Sequence, residues 1–103
     1  MSLVYFHDRE SCTLCRELKD FYNDLGLWIV KTLVPNVFTA KMDTYSNEVP
    51  GHHYKYLSKP KFKVFYGGTD IWYEYLGPLD MDGIYDFVKL HLRKFLGTYD
   101  ILL

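Results

Sequence analysis

Apolar and polar positions change their period several times along the chain, and each change marks an element. Leu3-Val4-Tyr5-Phe6-His7 is a short apolar and aromatic run suited to a buried strand, and it closes in a charged loop, Asp8-Arg9-Glu10-Ser11. From there Leu14, Leu18, Phe21, Leu25, Trp28 and Ile29 recur at steps of about 3.6 residues, which predicts one amphipathic helix. Gly26 is a candidate end or kink inside that stripe. The stripe continues to Leu33, however, so Val34-Pro35 is the firmer stop. Val37 to Met42 alternates Phe38, Ala40 and Met42 on one face with Val37, Thr39 and Lys41 on the other, as a strand does.

Asp43 to Ser58 is polar and irregular, with room for one short helix around Asn47 to Leu57 that Pro50 weakens. Lys61 to Tyr66 and Ile71 to Tyr75 are β-rich runs separated by Gly67-Gly68-Thr69-Asp70, a hairpin pattern. Gly77-Pro78 closes the second run, Asp80 is a suitable N-cap, and Met81, Ile84, Tyr85, Val88, Leu92 and Phe95 form a second helical stripe predicted to end near Gly97. Residues 99–103 read as a tail or linker. The order predicts a right-handed βαβ crossover followed by a ββα unit, an α/β domain with a four-stranded mixed sheet flanked by helices.

Composition narrows the class. At 103 residues the chain accommodates one domain, 1–103, and not two. Hydrophobic residues at 49% and charged residues at 24% exclude a disordered arm. A formal charge of −1 argues against nucleic-acid or membrane-surface partners, which select a basic excess. No apolar run approaches the ~18 to 20 residues that span a bilayer, and Met1 to Leu3 lacks a basic-then-apolar secretory pattern. The chain is therefore expected to be soluble, with any targeting segment for a lumenal location left off.

Candidate chemistry rests on Cys12 and Cys15, the two cysteines, spaced Cys-x-x-Cys. At a first strand-to-helix junction this spacing is a thioredoxin-like redox motif. Cys12 at the helix start is the better nucleophile, because the unsatisfied N–H groups and the helix dipole favour its thiolate. Cys15, one turn on, can resolve a mixed disulfide. The competing readings are two core cysteines or a structural zinc site. Zinc needs about two further ligands, and the candidates His7, His52, His53 and His91 show no second cysteine pair. No metal and no cofactor is expected.

Three segments resemble the thioredoxin-like superfamily, and most closely a catalytic domain of the protein disulfide isomerases. They are Cys12-Thr13-Leu14-Cys15 after a short strand; Ala40-Lys41-Met42-Asp43 with Asn47-Glu48-Val49-Pro50 and Lys59-Pro60-Lys61-Phe62-Lys63-Val64-Phe65; and Tyr75-Leu76-Gly77-Pro78-Leu79-Asp80-Met81-Asp82-Gly83-Ile84. Val4-Tyr5-Phe6 leading to Cys-x-Leu-Cys-x-Glu-Leu also resembles small glutaredoxins. The resemblance implies a thioredoxin-like fold and a thiol–disulfide oxidoreductase acting on protein cysteines. It further implies that Pro60 is cis and, with Lys59, shapes a substrate groove facing the dithiol. A location in the endoplasmic reticulum lumen or secretory pathway follows from the resemblance, the cytoplasm being the alternative, and the chain is expected to be a monomer or one domain of a larger chain.

The departures from that family pattern matter as much. Ser11 replaces the usual Trp, Thr13-Leu14 the usual Gly-His, Phe6 the usual buried acid, and Leu79 the usual Arg. Phe6 is expected in the core, so no carboxylate there assists Cys15. These substitutions support an alternative from another class, a redox-silent thioredoxin-fold module that binds partner polypeptides. His7 at a strand end and His52-His53 in a Pro-Gly loop read as solvated or hydrogen-bonded side chains. The ten tyrosines, Tyr73, Tyr75 and Tyr85 among them, read mostly as core.

The intervening pair sets an expectation for the redox couple. A Gly-His motif stabilises the thiolate and makes the disulfide a stronger oxidant, and Thr13-Leu14 offers no such charge. A glutathione-equilibrium titration should therefore place the potential below the roughly −180 mV of protein disulfide isomerase, toward the roughly −270 mV of thioredoxin. A value at or above the former contradicts the argument.

Overall fold

The computed structural model describes residues 1–8, 10, 12–33, 36–44 and 59–100, with side chains through residue 97. Its elements are β1 (Ser2–His7), α1 (Thr13–Glu17), α2 (Lys19–Leu33), β2 (Phe38–Asp43), β3 (Lys61–Phe65), β4 (Trp72–Glu74) and α3 (Met81–Asp100). They form a small α/β domain with a four-stranded mixed sheet in the order β2-β1-β3-β4. β1 pairs in parallel with β2, from Ser2 opposite Phe38 to His7 opposite Asp43, and antiparallel with β3, from Ser2 opposite Phe65 to Phe6 opposite Lys61. β4 joins β3 antiparallel, with Val64 opposite Tyr73.

The side-chain period of two sorts the sheet into two faces. Leu3, Tyr5, Phe62 and Val64 share one face, and Tyr22, Leu25 and Ile29 of α2 pack into the same core as Ile84, Val88 and Leu92 of α3. Both long helices therefore cover that face. They meet where Trp28 stacks on Tyr85 at 4.0 Å and the Tyr85 hydroxyl donates to Thr32 Oγ1 at 3.1 Å. Each aliphatic side chain fully buried here contributes about 1.5–3 kcal/mol. The other face carries Phe6, packed edge-on against Phe65, and Lys63, whose ammonium lies 3.8 Å from the Trp72 ring centroid and 3.9 Å from Glu74.

Element types follow the sequence pattern, and several boundaries differ from it. The first helix breaks at Leu18, whose ψ of 11° opens the turn, while Gly26 stays inside α2. The Leu18 N–H still donates to the Leu14 carbonyl, so no donor is lost at the break. The last helix runs through Gly97 to Asp100 instead of ending there, which places residues 99 and 100 in helix. The hairpin's outer strand, Trp72–Glu74, is shorter than the β-rich run, although at its ends Tyr66 N–H donates to the Ile71 carbonyl and Tyr75 N–H to the Phe62 carbonyl, and Gly68 adopts a φ of 76° that glycine tolerates best. Asp80 caps α3 by accepting the Gly83 N–H at 2.6 Å. The short helix expected around 47–57, Val34-Pro35 and 101–103 lie outside the described residues.

The tyrosine reading holds except at Tyr73. Tyr5, Tyr22 and Tyr66 are buried, and Tyr75 and Tyr85 are half-buried and packed against the core, whereas Tyr73 is exposed. Tyr75 lies along the loop after β4, its hydroxyl donating to the Pro78 carbonyl. A Cβ on Gly77 would fall 2.6 Å from that hydroxyl oxygen, so glycine at this position is a steric requirement of the folded-over ring.

His91 joins α3 to the hairpin. It is buried among Tyr66, Tyr73 and Phe87, with Nδ1 2.8 Å from the Tyr66 hydroxyl. Burial first, and then Lys94, pushes its pKa below the ordinary histidine value. The unfolded chain therefore binds the proton more readily, and stability present above about pH 6.5 falls as pH drops toward the folded value. Urea midpoints at pH 7.5 and 5.5 should show this loss. His91→Phe, which fits the aromatic surroundings and does not titrate, should reduce it, leaving the part due to His7, whose pKa burial also lowers. An unchanged pH dependence in a folded variant would exclude His91 as a source.

Candidate functional site

Strand directions bring three segments to one end of the sheet. β1 runs toward Asp8 and the cysteines, β3 starts there with Pro60 just before it, and β4 ends there, with Tyr75 N–H donating to the Phe62 carbonyl at 2.8 Å. Sequence spacing cannot show this, because the pieces are separated by most of the chain.

Cys12 and Cys15 are joined by a disulfide of 2.06 Å, with their Cα atoms 5.2 Å apart. Cys12 is the N-cap of α1, its backbone extended and its Sγ accepting the Cys15 N–H at 2.9 Å. The cap satisfies a helix-terminal N–H that would otherwise lack a partner. Cys12 N–H in turn donates to the Asp8 carbonyl at 2.9 Å, so strand, loop and helix are tied in sequence. Cysteines in a disulfide are not zinc ligands, which need the thiolate. Among the described residues no group of three or more His, Cys, Asp or Glu is placed to hold a metal ion. No helix among them is long and apolar enough to cross a membrane.

Exposure departs from what the motif implied. Cys12 has a relative exposure of 0% and Cys15 of 5%, so neither sulfur is presented openly to solvent. Phe6 is buried as expected. Pro60 is buried and Lys59 exposed, and both line a groove of about 600 Å³ with Phe62, Glu74, Leu76 and Leu79. The groove's described walls do not include the cysteines. Glu74 lies 3.6 Å from Lys61 across it, a partly exposed pair of modest worth. Ser11, Arg9 and His52-His53 lie outside the described residues.

Two neighbours of the dithiol were not singled out for this role by the sequence. The Tyr5 hydroxyl donates to the Cys15 carbonyl at 3.4 Å, and its ring is stacked between Tyr22 at 4.4 Å and His7 at 5.3 Å. Burial, followed by the nearby Tyr22, pushes the Tyr5 phenol up to about 12, so it remains a donor at neutral pH. An alternating strand position gives no sign of such a bond. Asp8 is the second: it is buried, and its Oδ1 accepts the Glu10 N–H at 2.9 Å. An Asp two residues before that amide is an Asx-turn signature, which could have distinguished it from the solvated charges around it. His7 is half-buried, its pKa lowered by burial, raised by Asp43, lowered by Lys41 and raised by Asp8, with the net direction downward.

No family model matches the chain, and no curated protein matches it in sequence.

The burial of both sulfurs sets a measurable limit on access. Reduction of the native disulfide by a water-soluble phosphine, followed by alkylation and mass determination, should be roughly tenfold or more slower than in an unfolded Cys-Thr-Leu-Cys peptide. Urea below the unfolding midpoint should accelerate it. Equal rates for protein and peptide would show that the sulfurs are openly reachable.

Proposed function

We propose that this chain is a thiol–disulfide oxidoreductase of thioredoxin-like architecture acting on protein cysteines, with Cys12 attacking and Cys15 resolving. The observation that carries the reading is the Cys15 N–H on Cys12 Sγ at 2.9 Å, at the N-cap of a helix that follows the central strand. A hydrogen bond to a charged group is worth about 1.5–3 kcal/mol, more than one to a neutral group, so this donor favours the thiolate the chemistry needs.

In that chemistry the Cys12 thiolate attacks one sulfur of a substrate disulfide and the other leaves as a thiolate. The Cys15 thiolate then attacks Cys12 Sγ, the substrate thiol departs, and the Cys12–Cys15 bond closes. Two electrons pass from the protein dithiol to the substrate, and the reverse sequence oxidises a substrate dithiol. The Pro60 and Lys59 wall, at the same end of the sheet, is suited to an extended polypeptide alongside the pair.

A specific observation favours a second reading. Exchange requires a substrate sulfur to reach Cys12, and Cys12 is fully buried. A redox-silent module, with the disulfide as a structural clasp and the Pro60 groove as a polypeptide site, accounts for that burial.

Trapping separates the two. Cys15→Ser removes the resolving thiol, so a mixed disulfide formed by Cys12 should persist. On non-reducing gels after incubation with a disulfide-bonded protein, Cys15→Ser should give reducible high-mass species and Cys12→Ser none. Absence of adducts in both, with the fold intact by circular dichroism, selects the binding module.

A further inference from the structure

The loop between β1 and α1 buries an acid that the redox reading leaves unused. Asp8 is 2% exposed, immediately after the last residue of β1. Its carboxylate closes the turn at Glu10 N–H, its carbonyl holds Cys12 N–H at 2.9 Å, and Cys12 then caps α1 through its sulfur. One residue thus shapes the loop and carries a formal charge into the same water-poor surroundings as the sulfur. We propose that Asp8 is a positioning residue of the Cys12–Cys15 pair, seating Cys12 through this turn and, as a carboxylate beside the pair, holding the couple reducing. The proposal rests on the redox reading only in requiring the pair to exchange with thiols.

Among the described residues, other charges near the loop lie at the surface or on β2. Glu10 on the loop and Arg16 on α1 are exposed, where water and salt screen them. His7 lies against Tyr5, with Asp43 and Lys41 of β2 acting on it. Asp8 and Cys12 are both removed from water, where a charge is screened far less than at the surface. An anion disfavours the thiolate, and a disfavoured thiolate makes the disulfide harder to reduce. In a glutathione buffer, two glutathione thiols give up two electrons and become one glutathione disulfide. The Cys12–Cys15 bond takes those electrons and cleaves, and the two protons go to the cysteines, or one to solvent when Cys12 remains a thiolate.

The test compares wild type with Asp8→Asn and Asp8→Glu in glutathione buffers approached from both redox directions, together with ultraviolet titration of the Cys12 thiolate in the reduced proteins. Asn keeps an acceptor for Glu10 N–H and removes the charge. It should lower the thiolate pKa by about one unit and shift the equilibrium about tenfold toward the dithiol, about 30 mV more oxidising. Glu keeps the charge on a longer arm and should stay nearer wild type even where its stability falls. A merely structural residue would destabilise oxidised and reduced forms alike and leave the equilibrium constant unmoved. A folded Asp8→Asn with wild-type equilibrium and titration overturns the proposal; should Asn not fold, an Asp8→Glu protein as oxidising as a Gly-His isomerase motif overturns it equally. A shifted equilibrium in a protein that forms no adducts with protein disulfides retains the role of Asp8 and removes the enzymatic reading.

Discussion

β1 is hydrogen-bonded along both edges, parallel to β2 and antiparallel to β3, and the architecture depends on that central position. Leu3 and Tyr5 are buried beneath the helices on one face and Phe6 against Phe65 on the other, so β1 does not follow a simple apolar and polar alternation. Its direction then fixes the rest. The chain leaving β1 emerges where β3 begins and β4 ends, so the dithiol loop and the Pro60 groove share an end of the sheet without touching in sequence. The two long helices pack on one face and lock to each other through Trp28 and Tyr85, leaving the other face to Phe6, Phe65 and the Lys63, Trp72 and Glu74 cluster.

At the dithiol two physical effects oppose each other. The N-cap donor stabilises a charged sulfur on Cys12, while burial penalises any ion placed there by several kcal/mol unless it is fully paired. A disulfide carries no charge and incurs no such penalty. Burial thus sets no electrostatic penalty on the disulfide, and would set one on a Cys12 thiolate. Tyr5, kept protonated by its own burial, holds the Cys15 backbone.

Element types and order were legible because periods of two and 3.6 residues are local properties of the chain. The sheet, the hairpin with its Gly68 turn, the Asp80 cap and burial of Phe6 all follow from patterns within a few residues. The break at Leu18 was not legible, since neither glycine nor proline marks it. Nor was continuation of α3 through Gly97, where the helical period outlasts a residue that often ends helices. Tyr73 misled for a related reason: spacing says which face a ring takes, not whether an outer strand is covered, and β4 is an edge. At the site, the cysteine pair announced itself and the turn closed by Asp8 had a local Asx signature, but the burial of Cys12 is a product of three-dimensional packing.

The sheet order also governs how the chain folds as it is made. β1 and β2 are close in sequence and can pair early, whereas β3 reaches its place beside β1 only after the whole intervening segment has been synthesised, with Ser2 finally opposite Phe65. Until then one edge of the central strand is an open ladder of donors and acceptors next to apolar side chains, which is the kind of surface that recruits other chains. At elongation rates of about 5–20 residues per second the exposure lasts seconds, far longer than hairpin formation. Pairing with β3, and then of β3 with β4, is thus what covers that edge.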